Sequence, residues 1–358
     1  MNADHSVSAD QVARALPKVL LHEHLDGGLR VATLLDLLQQ HGIPSPAPDE
    51  ARLTAWFKSN AHAGSLEKYL KGFGLTVAAM ASPAALRRVA FEAAEDARAD
   101  GAVLAEFRIA PLLFEAHGVS GEATVEALLE GLAQSGLPTG LIVCGMRHLP
   151  PEETLRAARL ALQYQGKHGD QGKQGYQGHG VVGFDLAGAE LGHPPAEHQT
   201  AITLVRDAGM ALTLHAGEAD AAVRVLEAAR LGAARIGHGV RLVDALSDPA
   251  QQDLVDEAIA LKVHLEVCPT SNVHTGAAAS IALHPITALW RAGVSLSYHT
   301  DNRLMSCITH SGEAAALLRH TPLKRADLLA MARQAAAHSF LPEAARMAAL
   351  ARINAAAP

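Results

Sequence analysis

Four short stretches of this sequence carry side chains that bind cations or move protons. The first is His22-Glu23-His24. At the end of a β-strand, residues two apart face the same side, so both imidazoles turn inward while Glu23 turns away. This is not the HExxH arrangement, whose histidines need helical spacing, since the position four after His22 is Asp26. LHAGE offers His215 and, three residues on, Glu218; RIGHG offers His238; HTDN offers Asp301 and Asn302. Three histidines and a carboxylate suit a borderline divalent ion, with zinc the natural choice. One open coordination position would hold a water and lower its pKa to about 7, making hydroxide at neutral pH. Glu218 would then shuttle the proton, and His238 would hold or deprotonate that water and stabilise the charge developing on it. The chemistry implied is metal-assisted hydrolytic attack on an electron-poor carbon.

These stretches can meet only if the chain brings several strand ends together. Short β-rich apolar runs alternate with Ala/Leu-rich amphipathic segments throughout, the pattern of βαβ units and a parallel sheet. The expected strands are KVLLHEH (18–24), AVLAEFRIA (102–110), TGLIVCGM (139–146), GVVGFDL (180–186), MALTLHA (210–216), ARIGHG (234–239), KVHLEVC (262–268) and GVSLSYHTD (293–301). Helices are expected over 29–41, 121–135, 151–163, 195–208 and 219–231. Eight such pairs predict an α/β protein with a (β/α)8 TIM barrel, the alternative being a doubly wound open sheet. In a barrel the carboxyl ends of all strands share one face, so His22, His24, His215, His238 and Asp301 converge there.

Residues 44–100, between the first two strands, are far longer than one crossover helix requires. They carry Trp56, Phe57, Leu66, Tyr69, Leu70 and Phe73, which fit either a lid over an apolar ligand or a helical pair packed on the barrel. Residues 164–180, rich in Gly, Gln and Lys, read as a flexible surface loop before strand four. Gly178, Gly180 and Gly183 have GxGxxG spacing, but a strand follows them where a dinucleotide fingerprint needs a helix. Helices after about residue 322 are expected to pack outside the barrel, and the 358 residues are read as a single barrel domain.

Apolar residues make up 49% of the chain and charged residues 19%, which excludes a disordered or collagen-like protein. A net charge of −7 without a Lys/Arg-rich run removes the electrostatic footprint for nucleic acid or an anionic membrane, leaving small molecules as the expected partners. Cys144, Cys268 and Cys307 form no CxxC pair, and no apolar run reaches the ~18 residues of a membrane span, so a reducing, cytoplasmic setting is expected. The sequence also lacks a GxSxG elbow, a GxxxxGK[ST] loop and the PCxxC of cytidine deaminases, and Cys268 reads as a buried core thiol.

In order and separation, HEHLDGGLR, GFDLAGAE, LTLHAGE, RIGHGVRL, LEVCPTSN and LSYHTDNRLMS resemble the adenosine deaminase family of metal-dependent amidohydrolases. The resemblance implies one zinc per chain and hydrolysis of adenosine, and of 2′-deoxyadenosine, to inosine and ammonia. It implies His22, His24, His215 and Asp301 as ligands, Glu218 as the group that protonates purine N1, and His238 beside the hydroxide. Gly188 would offer its backbone amide to N3, and Asp26 would contact the ribose. Asn302 stands where many members have an aspartate; an amide NH2 can still donate to N7. His299 replaces a smaller residue of the family, either packing or facing the metal from below, and Asp185 and Glu266 would support the ligands or serve the barrel alone. The alternative substrate is a related aminopurine: adenine, methylthioadenosine or an aminofutalosine-type nucleoside. From another class, a non-catalytic nucleoside-binding barrel remains, though no ligand and no Glu218 is missing. Oligomeric state is not legible.

Overall fold

The computed structural model describes residues 8–61, 72–166 and 178–356. Its eight strands are β1 (Lys18–Leu20), β2 (Ala102–Ile109), β3 (Thr139–Met146), β4 (Gly178–Ala187), β5 (Ala211–Ala216), β6 (Arg235–His238), β7 (His264–Val267) and β8 (Ser295–Tyr298). All are parallel and pair in chain order. The sheet curls into a TIM-barrel-like fold, and the site segments make its seam. Just past β1 and β8, Asp301 N donates to His22 O at 3.0 Å and His24 N to Asp301 O at 2.8 Å.

β2 is buried along its whole length, as a strand must be when helices cover one face and the barrel interior the other. Pro83–Ala99 shows how the outer layer is specified. Leu86, Val89, Ala90, Ala93, Ala94 and Ala97 recur at helical spacing on its buried side. Ser82 Oγ accepts from Ala85 N at the start, and Pro83 occupies the first turn, where its missing N–H costs nothing.

The expected helices appear as Val31–Gln40, Gly121–Ala133, Pro151–Gln163, Gln199–Asp207 after a 3-10 turn Pro195–His198, and Val223–Arg230. Strand one is shorter than expected: the ladder stops at Leu20, and Glu23 and His24 form only isolated bridges. β7 ends at Val267, so Cys268 sits, still buried, at the start of Pro269–His274. In the insertion, Glu50–Ala61 packs against Val31–Gln40 and Arg303–Ser306, burying Phe57 and setting Trp56 edge-on to it, whereas Phe73, opening Phe73–Met80, lines a cavity. Leu66, Tyr69 and Leu70 lie outside the described residues, as does most of the 164–180 segment. Gly178, Gly180 and Gly183 fall in β4 and open no helix.

Deeper than the mouth, the barrel interior is ionic. Arg108 pairs with Asp185 at 2.7 Å and Glu266 at 2.6 Å; Arg235 pairs with Glu266 at 2.6 Å and Glu106 at 2.7 Å. All five side chains are fully buried, where an uncompensated charge would cost several kcal/mol, on the order of 3–5 when one partner is removed. Between Arg325–His338 and Glu343–Ala355, Ser339 Oγ and Phe340 N donate to Glu106 and the Phe340 ring covers Arg235. The C-terminal helices therefore bring a turn that closes this layer as well as packing outside. Among the described residues no helix is long and apolar enough to cross a membrane.

Candidate metal centre and active-site cavity

The mouth of the barrel holds four imidazoles around one carboxylate. The His22 ring centre lies 4.7 Å from that of His215, 5.0 Å from His238 and 5.4 Å from His24. His22 and His24 come from the segment after β1, His215 from β5, His238 from the end of β6, and Asp301 from just beyond β8. His238 and Asp301 adopt left-handed backbone conformations, φ 62° and 59°, which non-glycine residues hold only at a cost of order 1 kcal/mol or more. The β6 residue between the rings is Gly237. A Cβ there would stand 3.0 Å from His22 Cε1 and 3.1 Å from His215 Cγ, so only glycine leaves both rings their room.

Carboxylates below the rings decide which nitrogen faces the centre. His22 Nδ1 donates to Glu266 Oε2 at 2.8 Å and His215 Nδ1 to Asp185 Oδ1 at 3.1 Å, which leaves both Nε2 atoms as lone pairs. Burial alone would push Glu266 up, but Arg108 and Arg235 hold it well below the usual carboxylate range. For Asp185 burial is likewise outweighed, by His215 and Arg108. Both therefore remain anions. His24 Nε2 meets His215 Nε2 at 3.3 Å and Asp301 Oδ1 at 3.6 Å, and His22 Nε2 is 3.3 Å from the same oxygen. Ser271 Oγ occupies Asp301 Oδ2 at 2.6 Å. His22 Nε2 and Asp301 Oδ1 are buried with no hydrogen-bond partner. Orphaned buried acceptors converging at these distances are what a cation would satisfy.

Donor atoms of His22, His215, His238 and Asp301 lie within 4.8 Å of one another, and His24 joins the cluster through His215 and Asp301. The protein thus has a buried three-histidine, one-aspartate metal-binding group with a further histidine beside it. The same atoms accommodate His24 or His238 as the third imidazole; their other contacts separate them. His24 Nε2 is turned to His215 and Asp301, whereas His238 Nε2 faces Glu218 Oε2 at 3.5 Å.

Glu218 is held from both ends. Its backbone N–H and those of Gly217, Ala219 and Asp220 all donate to the buried carboxylate of Glu190. Its Oε1 accepts from Asn272 Nδ2 at 3.1 Å and Thr275 Oγ1 at 2.9 Å. A cavity of about 380 Å³ opens over this group. His24, Asp26, Gly188, His215, Glu218, His238, Asp301 and Asn302 line it, together with Phe73, Leu113, Cys144, Met146 and His148. Of the residues expected from the sequence to bind metal, move protons or touch substrate, all but His22, which lies beneath, reach this wall; Asp185, Glu266 and His299 do not. Gly188 has φ 94°, and a Cβ on it would strike His148 Nδ1. Asp26 Oδ1 and Asn302 Oδ1 are buried and unpartnered, and burial pushes the Asp26 carboxyl up to about 7. Burial also raises the Cys144 and Cys268 thiols well above their usual value, which makes poor nucleophiles of them.

His299 takes the packing reading. It is buried in the barrel wall, with Leu21 N donating to its Nδ1 at 3.2 Å and Ser297 Oγ at 2.7 Å from its Nε2. Glu23 leaves the barrel interior as strand parity requires, yet it is buried by Arg303 at 2.6 Å and Thr300 at 2.8 Å. Arg108, Glu190, Asn272 and Thr275 went unassigned in the sequence. Glu190 and Asn272 sit inside the DLAGAE and CPTSN motifs, while Arg108 had no signal beyond being a charge in an apolar run.

A family model described as adenosine deaminase matches residues 17–356. The chain belongs to the adenosine deaminase family. As such it is a hydrolase, and an adenosine deaminase of Mycobacterium tuberculosis is 42% identical to it over 354 residues, 94% of this chain and 93% of the relative. Among solved structures, family-like architecture recurs in an adenine deaminase from Arthrobacter aurescens, TM-score 0.83, 24% identity, covering 95% of this chain and 98% of that one. An N6-methyl-AMP deaminase from Arabidopsis thaliana superposes with TM-score 0.79 at 24% identity, covering 98% and 99%. These two likenesses establish the fold.

Proposed function

We propose that this protein hydrolyses adenosine, and 2′-deoxyadenosine, to inosine and ammonia. The observation that carries this reading is the meeting of the His/Asp cluster, Glu218 and His238 on one wall of a nucleoside-sized cavity, in a chain 42% identical to adenosine deaminases. His22, His24, His215 and Asp301 would hold one zinc, the metal that imidazole and carboxylate ligands suit, with a position left for water. A zinc ion so held supplies a water of lowered pKa and Lewis-acid polarisation. Glu218 gives a proton to N1 as water attacks C6, receives the proton the water loses, and passes it to the departing amine. His238 stabilises the charge on the attacking oxygen. The Gly188 amide serves N3, the Asn302 NH2 serves N7, and Asp26 takes the ribose.

Among the described residues lining the cavity there is no Lys or Arg, which disfavours a phosphorylated substrate such as AMP. Asp26 facing the cavity favours a nucleoside over free adenine. We read the chain as a single barrel domain acting on a small molecule in the cytoplasm, consistent with three free cysteines. The segment 44–100 bears on the cavity through Phe73, and we read it as a partial cover over it.

The test is loss of absorbance in the adenosine band, with and without chelator, on adenosine, 2′-deoxyadenosine, adenine, AMP and methylthioadenosine in parallel. Chelator-sensitive turnover of the first two is expected, lowered about 10²- to 10⁴-fold in Glu218→Gln with its metal retained. Turnover confined to another member of the panel would replace the substrate, and none at all by a metal-loaded protein would overturn the reading.

A further inference from the structure

Asn272 and His284 touch no substrate atom in this reading, yet a continuous set of hydrogen bonds runs from the backbone through both of them to His238 and Glu218. Ile286 N donates to His284 Nδ1 at 3.0 Å. His284 Nε2 lies 3.3 Å from Asn272 Oδ1, and Asn272 Nδ2 lies 3.1 Å from Glu218 Oε1 and 3.0 Å from His238 Nδ1. His284 and Asn272 are buried and lie behind the cavity wall that His238 and Glu218 help to form, so the contact between them is shielded from bulk water.

Hydrogen counting leaves one arrangement. Burial, reinforced by His238, lowers the His284 pKa to about 3, so its ring is neutral and carries a single hydrogen. A backbone N–H already occupies its Nδ1, which puts that hydrogen on Nε2, where it meets the Asn272 carbonyl oxygen. The Asn272 amide is thereby oriented: its NH2 has one hydrogen for Glu218 Oε1 and the other for His238 Nδ1. The flipped amide would set its oxygen against a carboxylate and its NH2 against the His284 N–H, losing both bonds. With Nδ1 accepting, neutral His238 carries its hydrogen on Nε2, the nitrogen 3.5 Å from Glu218 Oε2.

We propose that Asn272 and His284 are positioning residues that fix His238 as the Nε2–H tautomer and aim Glu218 Oε2 into the cavity. His238 is then a hydrogen-bond donor to the attacking oxygen, and neither its proton acceptor nor a metal ligand, since Nε2 has no free lone pair. Proton acceptance falls to Glu218 Oε2, because Oε1 is already bound by Asn272 and Thr275. The inference extends the roles proposed above for His238 and Glu218, but its primary readout needs no substrate.

That readout is long-range proton–nitrogen NMR of protein labelled with 15N in its imidazoles, with His238→Gln assigning the His238 signals. The wild-type protein, metal-free or zinc-loaded, should show Nδ1 unprotonated and Nε2 protonated. His284→Leu frees the Asn272 amide and should mix the two tautomers, lowering kcat about 10- to 100-fold, the usual cost of losing an outer-shell partner, with KM changed less than threefold. His284→Gln restores an N–H donor to Asn272 Oδ1 and should recover most of both effects. Wild-type His238 protonated on Nδ1, or an unaltered tautomer in a folded His284→Leu protein, would overturn the proposal. If His284→Leu does not fold, the wild-type spectrum alone decides. Failure to deaminate adenosine with the Nε2–H tautomer in place would count against the substrate and leave the relay standing.

Discussion

Glu266 Oε2 accepts the Nδ1 hydrogen of His22 at 2.8 Å, and this one contact both turns the His22 ring and frees its Nε2 for a cation. Arg108 binds the same oxygen at 2.6 Å and reaches Asp185, which does for His215 what Glu266 does for His22. The metal-binding face is thus the upper surface of the buried ionic layer.

Glu266→Gln should therefore damage the site and the barrel together. The amide cannot balance Arg108 and Arg235, and removing one partner of a buried pair costs about 3–5 kcal/mol. Metal affinity should fall about 10- to 100-fold in competition with a chromogenic chelator. Thermal unfolding should shift clearly downward; an unchanged midpoint would show that the layer is not held by Glu266.

Gly237→Ala separates these two effects. Its added methyl meets ring atoms of His22 and His215 at 3.0–3.1 Å, without removing any charge. Metal retention after gel filtration, measured by elemental analysis, should drop while the far-ultraviolet dichroism stays that of the parent. Full metal retention would mean that the two rings can give way together.

A pH-dependent term in stability should come from Glu313, at the start of His310–His320. Burial, with Asp301 adding to it, raises its carboxyl to about 8 despite the Thr270 N–H bonded to it at 3.1 Å. The folded chain keeps this proton between its ordinary value near 4.5 and about 8, and the unfolded chain does not. Its contribution to stability is complete below about 4.5 and is lost as pH rises toward 8. Glu313→Gln mimics the protonated form, so the Tm of the variant relative to wild type should climb from pH 5 to pH 8. A difference independent of pH would disprove the shifted titration.

The parts readable from sequence alone were those governed by local periodicity. Alternating apolar runs and helical stripes dictate eight strand-helix pairs, and a two-residue repeat sends His22 and His24 inward whatever surrounds them. Even there the ladder proved shorter than the apolar run, because past Leu20 the chain trades its regular partner for bridges to Arg108 and Asp301 at the seam. Residue type marked Glu218, His238 and Asp301 as reactive groups, since strand ends seldom gather so many by chance. It could not say which ring nitrogen each histidine presents, or which carboxylate oxygen is free. Those choices depend on donors far away along the chain: Glu266 for His22, Asp185 for His215, Asn272 and His284 for His238, Glu190 for the turn beneath Glu218. Hydrogen bonds act over about 3 Å, so only the closed barrel, which brings these groups to that distance, decides how the site is wired.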